Sequence, residues 1–217
     1  MAVKTSQHSF GAWRLRLSLV TVIAAAALWR FPLFHVMPIA EPAVLTGTVD
    51  VETVAEKFWS EQLPAAHAAD VATVVATLQK DPQAAIKTYA HTVGLGGTAY
   101  FFISGEGRVV SRERDSVRLA VGSGADAPVV DLQIGDIFGN TVRDATGLLD
   151  VNQFSSLEDF NTLAGALNQR VESRVLPVLR DRAQIGALVT FTGCAEAEEP
   201  APGGPLLTII PVRAEVH

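Results

Sequence analysis

The chain has 217 residues and a formal net charge of −6, with hydrophobic residues at 48% and charged residues at 18%. This much apolar sequence excludes intrinsic disorder, because burial can offset the entropy lost on folding, and the length suits one good-sized domain. Residues 31–217 carry 13 Lys and Arg against 23 Asp and Glu, a net charge of −10, which would repel a phosphate backbone and disfavours any nucleic-acid partner.

The first forty residues have the pattern of a membrane-targeting segment. Arg14 and Arg16 precede a largely apolar run over residues 17–29, which is the order found in secretory signals. If the run continues to Met37, residues 17–37 are long enough to span a bilayer, which takes roughly 20 residues. The basic flank would then keep the N-terminus in the cytoplasm.

These features divide the chain into two parts. We expect residues 1–39 to be a cytoplasmic n-region followed by an uncleaved signal-anchor helix in the inner membrane, and residues 40–217 to be one periplasmic α+β domain. A signal peptide cleaved after Ala27 is the alternative, and it would release the domain into the periplasm. A buried helix of a soluble protein is a third reading, which the absence of an amphipathic stripe disfavours.

Three helices are predicted at the start of the body, each opened by an aspartate. Asp suits the N-cap because its carboxylate accepts a hydrogen bond from a free N–H of the first turn. Apolar residues follow each Asp at helical spacing. The helices are expected to begin at Asp50, Asp70 and Asp81, the first ending before Pro64 and the third near His91. A short strand or an extended lead-in is expected over residues 43–49.

The middle of the chain changes to the alternation and aromatic content that are typical of strands. Gly-rich stretches separate the runs closely, which favours hairpins and antiparallel pairing. We expect a turn at residues 105–107 and a bulge at Gly135. The predicted strands cover residues 98–104, 108–114, 117–121 and 129–139.

The last third predicts one long helix and two strands. Ser156 opens the helix, with Asp159 three residues on as a variant capping box, and Pro177 marks its end. Strands follow at residues 188–192 and 206–212. About six strands, with a helix before the last two, predict an α+β fold in which helices pack on a small curled or barrel-like antiparallel sheet.

No residue set in the sequence amounts to an active site, so we expect a non-enzymatic protein without metal or cofactor. The five histidines show no i, i+3 or i, i+4 spacing that would favour a metal site on a helix. The only cysteine, Cys194, cannot form an internal disulfide. Its acidic neighbours Glu196, Glu198 and Glu199 should raise the pKa of the thiol and leave it passive.

One stretch could form a ligand site. A strand that ends in two glycines is followed by polar residues and then by an aromatic residue, and such strand ends can form a polar pocket with an aromatic wall. The alternative is that Arg143 and Asp144 pair with each other or with the long helix, purely as structure. The candidate ligand-binding residues are Asn140, Arg143, Asp144, Asn152 and Phe154.

A set of short motifs, in a fixed order over residues 34–216, carries a family resemblance. They are Phe58-Trp59, Asp81-Pro82, Gly105-Glu106-Gly107-Arg108-Val109-Val110, Leu132-Gln133-Ile134-Gly135, Arg143-Asp144-Ala145, Phe154, Ala166-Leu167-Asn168-Gln169-Arg170-Val171 and Val189-Thr190-Phe191-Thr192-Gly193. With them the chain resembles the predicted periplasmic lipoproteins of unknown function (domain of unknown function 2291), often encoded beside sugar ABC transporters. The resemblance implies an OB-like barrel with added helices and a periplasmic accessory role, and it transfers no catalytic residues.

The chain departs from that family at one position. The family commonly carries a lipid-accepting Cys just before a short apolar segment with a proline, which here looks like Val36-Met37-Pro38, and Phe34 stands where the Cys would be. Without a thiol there, no diacylglycerol can be attached, and this favours an anchor made of protein.

Three functional hypotheses follow, in this order. The first is a non-enzymatic, membrane-tethered periplasmic protein that assists a sugar ABC uptake system, whose components would be its partners. The second is a small-molecule module, for instance for a carbohydrate, using the five candidate residues. The third is a hydrolase whose site is assembled from distant Asp and Glu residues, which requires two carboxylates about 5–10 Å apart.

Overall fold

The computed structural model describes residues 50–94, 97–122, 124, 127–197 and 206–217. The predicted anchor at residues 17–37 and the predicted lead-in at residues 43–49 lie outside these residues. Within the described part of the chain, no helix is both long enough and apolar enough to cross a membrane.

Helices and strands both occur, as the predicted α+β class requires. The helices are α1 (Val51–Lys57), α2 (Leu63–Ala65), α3 (Val71–Lys80), α4 (Pro82–Tyr89), α5 (Thr141–Asp144), α6 (Leu157–Arg174) and α7 (Leu176–Arg182), with a π-helical turn at Phe58–Gln62 and a 3₁₀ turn at Val151–Gln153. The strands are β1 (Ala69–Asp70), β2 (Ala90–Thr92), β3 (Ala99–Arg112), β4 (Ser116–Val121), β5 (Val129–Gln133), β6 (Leu188–Glu196) and β7 (Thr208–Val216).

The predicted helix starts are confirmed at their caps. The side chain of Asp70 accepts from the N–H of Thr73, and that of Asp81 accepts from the N–H of Ala84. The hydroxyl of Ser156 accepts from the N–H of Asp159 at 3.0 Å. Asp50 caps α1 in the same way. Each cap satisfies an N–H that the helix itself leaves free.

The two prolines that were expected to end helices lie instead inside helix first turns. Pro64 falls in the first turn of α2, so the first helical segment continues through it to Ala65. Pro177 falls in the first turn of α7, and α6 has already ended at Arg174. Proline fits the start of α7 because the N–H that it lacks would have no helical acceptor in a first turn; at Pro64 the preceding π-helical turn continues directly into α2.

The predicted turn at residues 105–107 is wrong, because β3 runs unbroken through it. Both glycines serve close packing instead. A Cβ on Gly105 would lie 2.4 Å from Cγ1 of Val71 in α3, and one on Gly107 would lie 2.9 Å from Cβ of Leu119 in β4. These glycines therefore allow a helix and a neighbouring strand to approach the backbone of β3.

The predicted strand at residues 129–139 is too long. Strand β5 ends at Gln133. The N–H groups of Ile134 and Gly135 then both donate to the carbonyl oxygen of Asp115, at 2.8 and 3.1 Å. Two successive N–H groups on one carbonyl oxygen form the two-against-one pattern of a β-bulge, which is the irregularity expected at Gly135.

The sheet is mixed, which corrects the antiparallel expectation. Strand β5 pairs with β7 in parallel, and β1 pairs with β3 in parallel, while the other pairings are antiparallel. The order β3–β4–β5–β7–β6 closes on itself, because β6 also pairs with β3 over nine residue pairs, from Tyr100–Glu196 to Arg108–Leu188. Helices α6 and α7 lie between β5 and β6 along the chain.

Alternation along the strands builds two apolar cores. One face of β3 places Phe101 and Ile103 in a core that includes Phe191 and residues of α3. The other face places Phe102 in a second core with Phe58, ahead of α2, and with Leu163 and Leu167 of α6. Both faces of β3 are buried here, which explains why its sequence lacks the polar alternation of a half-exposed strand.

Candidate functional site

Arg143 and Asp144 form a buried pair at the centre of the predicted site. The Nε of Arg143 donates to Oδ1 of Asp144 at 2.7 Å, and Nη2 donates to Oδ2 at 2.9 Å. The remaining nitrogen, Nη1, donates to the carbonyl of Phe160 at 3.1 Å and to Oδ1 of Asn161 at 3.2 Å. Both side chains are only 6% exposed. The guanidinium therefore ties α5 to the first turns of α6.

The aromatic part of the predicted site stacks on this pair. The guanidinium carbon of Arg143 lies 3.8 Å from the ring centroid of Phe160, within the range of a cation–π contact. The ring of Phe154 lies 5.1 Å from that of Phe160, tilted by 55°. Arg143, Asp144 and Phe154 thus belong to one cluster, with Phe160 as the connecting residue.

Asn140 borders a groove beside this cluster. The groove has a volume of about 390 Å³ and lies between the loop at residues 137–140 and one side of α6. Its lining includes the amides of Asn140, Asn161 and Asn168 and the ring of Phe138, which is 79% exposed. Asn168 also donates to the carbonyl of Gly139 at 3.1 Å, which fixes the loop against α6.

Asn152 makes its hydrogen bonds within the 3₁₀ turn itself. Its backbone N–H and its side-chain amide both donate to Oδ1 of Asp150, at 2.9 and 2.8 Å. The structure therefore joins Arg143 and Asp144 directly, links Phe154 to them through Phe160, and sets Asn140 at the neighbouring groove. Ligand binding by these residues stays a prediction.

The two buried carboxylates of the described residues are each held by an arginine. Asp131 accepts from Nε and Nη2 of Arg118 at 2.8 and 3.0 Å, and this hydrogen bond raises the pKa of Arg118 above its usual value. Asp144 is held by Arg143 in the same two-bond geometry. The hydrolase hypothesis would require a carboxyl group that is free to accept or donate a proton.

Cys194 lies in β6 with no exposed surface and belongs to the second core. Burial raises the pKa of its thiol, because a thiolate loses its hydration there. The direction expected from the sequence is confirmed, but the cause is burial rather than the acidic neighbours. In the described part of the chain, no three His, Cys, Asp or Glu side chains gather in a way that could hold a metal ion.

Two further clefts use residues that the sequence analysis did not single out. They have volumes of about 450 and 490 Å³ and adjoin each other, since His67 and Phe102 line both. The signal that could have indicated the first cleft is that Ser104 and Thr192 alternate with buried apolar residues in β3 and β6.

A family model described as "Predicted periplasmic lipoprotein (DUF2291)" matches residues 22–215. The chain belongs to this family. No curated protein matches the chain. A crystal structure of an OB-fold protein from Thermotoga maritima is similar over 77% of this chain and 98% of that chain, with 25% sequence identity and a TM-score of 0.68.

The strand pairing agrees with the fold of that crystal structure. In the ring β3–β4–β5–β7–β6, the first strand pairs with the fourth and the third pairs in parallel with the fifth, which suits an OB-fold. The family is described as lipoproteins, whereas the only cysteine of the sequence is the buried Cys194.

Proposed function

We propose that the protein is a non-enzymatic accessory protein of the periplasm, anchored in the inner membrane, which works with a sugar ABC uptake system. Its OB-like barrel, formed by the closed ring of strands, would act as a rigid support for a partner. The family match carries the periplasmic part of the proposal, because it covers both the body and the N-terminal apolar run from residue 22 onwards; the transporter association follows from what the family resemblance implies.

The anchor proposed here is the helix over residues 17–37 rather than a lipid. A lipoprotein carries its lipid on a cysteine thiol, and the position that resembles the family's lipid-accepting site holds Phe34. Arg30 falls towards the outer end of the run, where its guanidinium could reach the headgroups. The net charge of −10 in residues 31–217 favours a body that stays in solution beside the membrane.

Crosslinking of the full-length protein in native membranes tests the proposal. We expect the crosslinked material to contain a permease subunit or the sugar-binding protein of an ABC transporter. The matched control carries a cleavable signal peptide in place of residues 1–39, which should lose the membrane fraction and most of the crosslinks. Crosslinks to no transporter component, or full protection from added protease in spheroplasts, would reject the association or the periplasmic location, respectively.

A second candidate function is the binding of a small molecule such as a carbohydrate. The groove at Asn140 favours it, because four side-chain amides, those of three asparagines and of Gln169, and the exposed ring of Phe138 surround a space of about 390 Å³. Amides and an aromatic face together suit a ligand with hydroxyl groups on an apolar ring. Sugar titrations of the full-length protein would follow if crosslinking finds no transporter.

A further inference from the structure

Three polar side chains form a row across the outer face of the sheet. Ser104 of β3 is directly opposite Thr192 of β6, and Thr192 is directly opposite Arg213 of β7. Residues opposite each other in antiparallel strands have Cβ atoms about 4.5–5.5 Å apart and share a face. The row therefore places two hydroxyls and a guanidinium side by side, next to the apolar row that contains Phe102 and Cys194.

This row lies in a cleft of about 450 Å³, which we call the Arg213 cleft. Its other sides are formed by Trp59 of the first helical segment, His67 just after that segment, and Arg174 at the end of α6. Two arginines and a histidine thus face a cleft whose described lining includes no Asp or Glu, on a body that is strongly acidic.

The polar groups of the row are not used by the fold. Among the described residues, neither the guanidinium of Arg213 nor the hydroxyls of Ser104 and Thr192 make a side-chain hydrogen bond or an ion pair. Arg174 is different, because its Nη1 and Nη2 donate to the carboxylate of Glu56 at 3.2 and 2.9 Å. Arg213 is therefore the cation of the cleft that is free to meet a ligand.

We propose that the Arg213 cleft binds a small organic anion that carries hydroxyl groups, the class to which sugar acids and other hydroxy-carboxylates belong. A guanidinium can hold a carboxylate by two parallel hydrogen bonds. Ser104 and Thr192 supply hydroxyls that both donate and accept, and the half-buried ring of Trp59 supplies a flat apolar wall. The cleft shares no lining residue with the groove at Asn140, and this inference does not depend on the transporter association.

Acidic side chains border the row and limit what it can bind. Glu106, Thr190 and Glu215 form the next row on the same face, and both glutamates are exposed. Their charge opposes an anion, so binding should be weaker than at a fully cationic site and should fall with added salt. A singly charged, hydroxylated ligand suits this balance better than a polyanion.

Equilibrium dialysis of radiolabelled D-glucuronate against the full-length protein in detergent tests the inference. D-glucose, which has the same ring and no charge, is the neutral counterpart. We expect saturable glucuronate binding, at least tenfold weaker glucose binding, and at least a tenfold loss of glucuronate affinity in Arg213→Gln. Arg114→Gln is the matched control, because its side chain is 94% exposed and the change in charge is identical; it should stay within twofold.

A second variant separates the hydroxyls from the charge. Thr192→Val keeps the shape of the side chain and removes its hydroxyl, so it should weaken glucuronate binding while leaving acetate binding unchanged. Circular dichroism melting curves of each variant confirm that the fold is retained. Absence of saturable binding of glucuronate, gluconate and glycerate would overturn the inference, as would equal affinity for glucose or unchanged affinity in Arg213→Gln.

Discussion

Replacing Arg143 by Met separates a structural role of the predicted site from a binding role. The carboxylate of Asp144 is buried, and Arg143 is the side chain that donates to both of its oxygens. The variant would leave that carboxylate without a partner, while Met fills much of the same space. We therefore expect a large loss of folding free energy even in the absence of any ligand.

The size of the loss follows from burial. Removing one partner of a buried ion pair costs about 3–5 kcal/mol, because the other charge stays buried and unpaired. The contacts of Arg143 with the carbonyl of Phe160 and with its ring would be lost as well. For a domain of this size, about 1 kcal/mol shifts the melting temperature by about 2–4 °C, so a decrease of about 6–20 °C is expected.

Urea denaturation followed by circular dichroism measures this loss. The double variant Arg143→Met/Asp144→Leu removes both charges, and it should recover most of the stability, since an apolar replacement of a whole buried pair is often neutral. Arg114→Met, at an exposed position, should change stability by no more than about 0.5 kcal/mol. A loss below about 1 kcal/mol in Arg143→Met would refute the structural role and would favour a pair that is held in place for a ligand.

Two further predictions concern other titratable groups. Cys194 should resist a maleimide reagent in the folded protein and react fully in denaturant, because burial both shields the thiol and raises its pKa; rapid labelling of the native state would contradict its burial. The hydrogen bond from Arg174 lowers the pKa of Glu56, so this group contributes stability above its unfolded pKa that is lost as the pH falls through the folded pKa. The difference in unfolding free energy between the wild type and Glu56→Gln should therefore be largest near neutral pH, and it should shrink on acidification and with added salt. Urea denaturation at a series of pH values measures this difference. A difference that stays constant with pH would contradict the ion pair.

Local signals were sufficient for the helix starts. The caps at Asp70, Asp81 and Ser156 depend on residues within three positions of each other, so the sequence contains the whole interaction. Helix ends were less predictable. Proline ends a helix in its interior but suits the first turn of the next one, and only the packing that lets α7 follow α6 so closely decides which case applies at Pro177.

The features of the sheet that were predicted wrongly depend on contacts between residues far apart in sequence. Gly105 and Gly107 were expected in a turn, because glycine is common there. Their actual neighbours, Val71 and Leu119, come from a helix and a strand whose approach no local pattern encodes. The parallel pairing of β5 with β7 spans α6 and α7, so tight hairpin spacing could not indicate it.

In the candidate site, too, the local contact was predictable from the sequence and the contacts between distant elements were not. Arg143 and Asp144 are neighbours in sequence, and their pairing with each other was an alternative that the sequence itself suggested. Phe160 and Asn161, which complete the cluster, come from α6 and were not singled out. Their part in the cluster depends on how α5 packs against α6, which the strand-end pattern does not contain.

The Arg213 cleft depends on a register shift between β6 and β7 that the sequence pattern does not predict. Ile210 and Val212 both belong to the second core, so simple alternation would direct Arg213 towards the opposite, interior face. The register between β6 and β7 shifts at Thr192 and Gly193, which leaves Val212 as an extra residue on β7. This shift turns Arg213 outward beside Thr192 and returns Ala214 to the first core. A bulge that redirects one side chain is a recurrent feature of functional sites in sheets, and here the redirected side chain is the unpaired guanidinium.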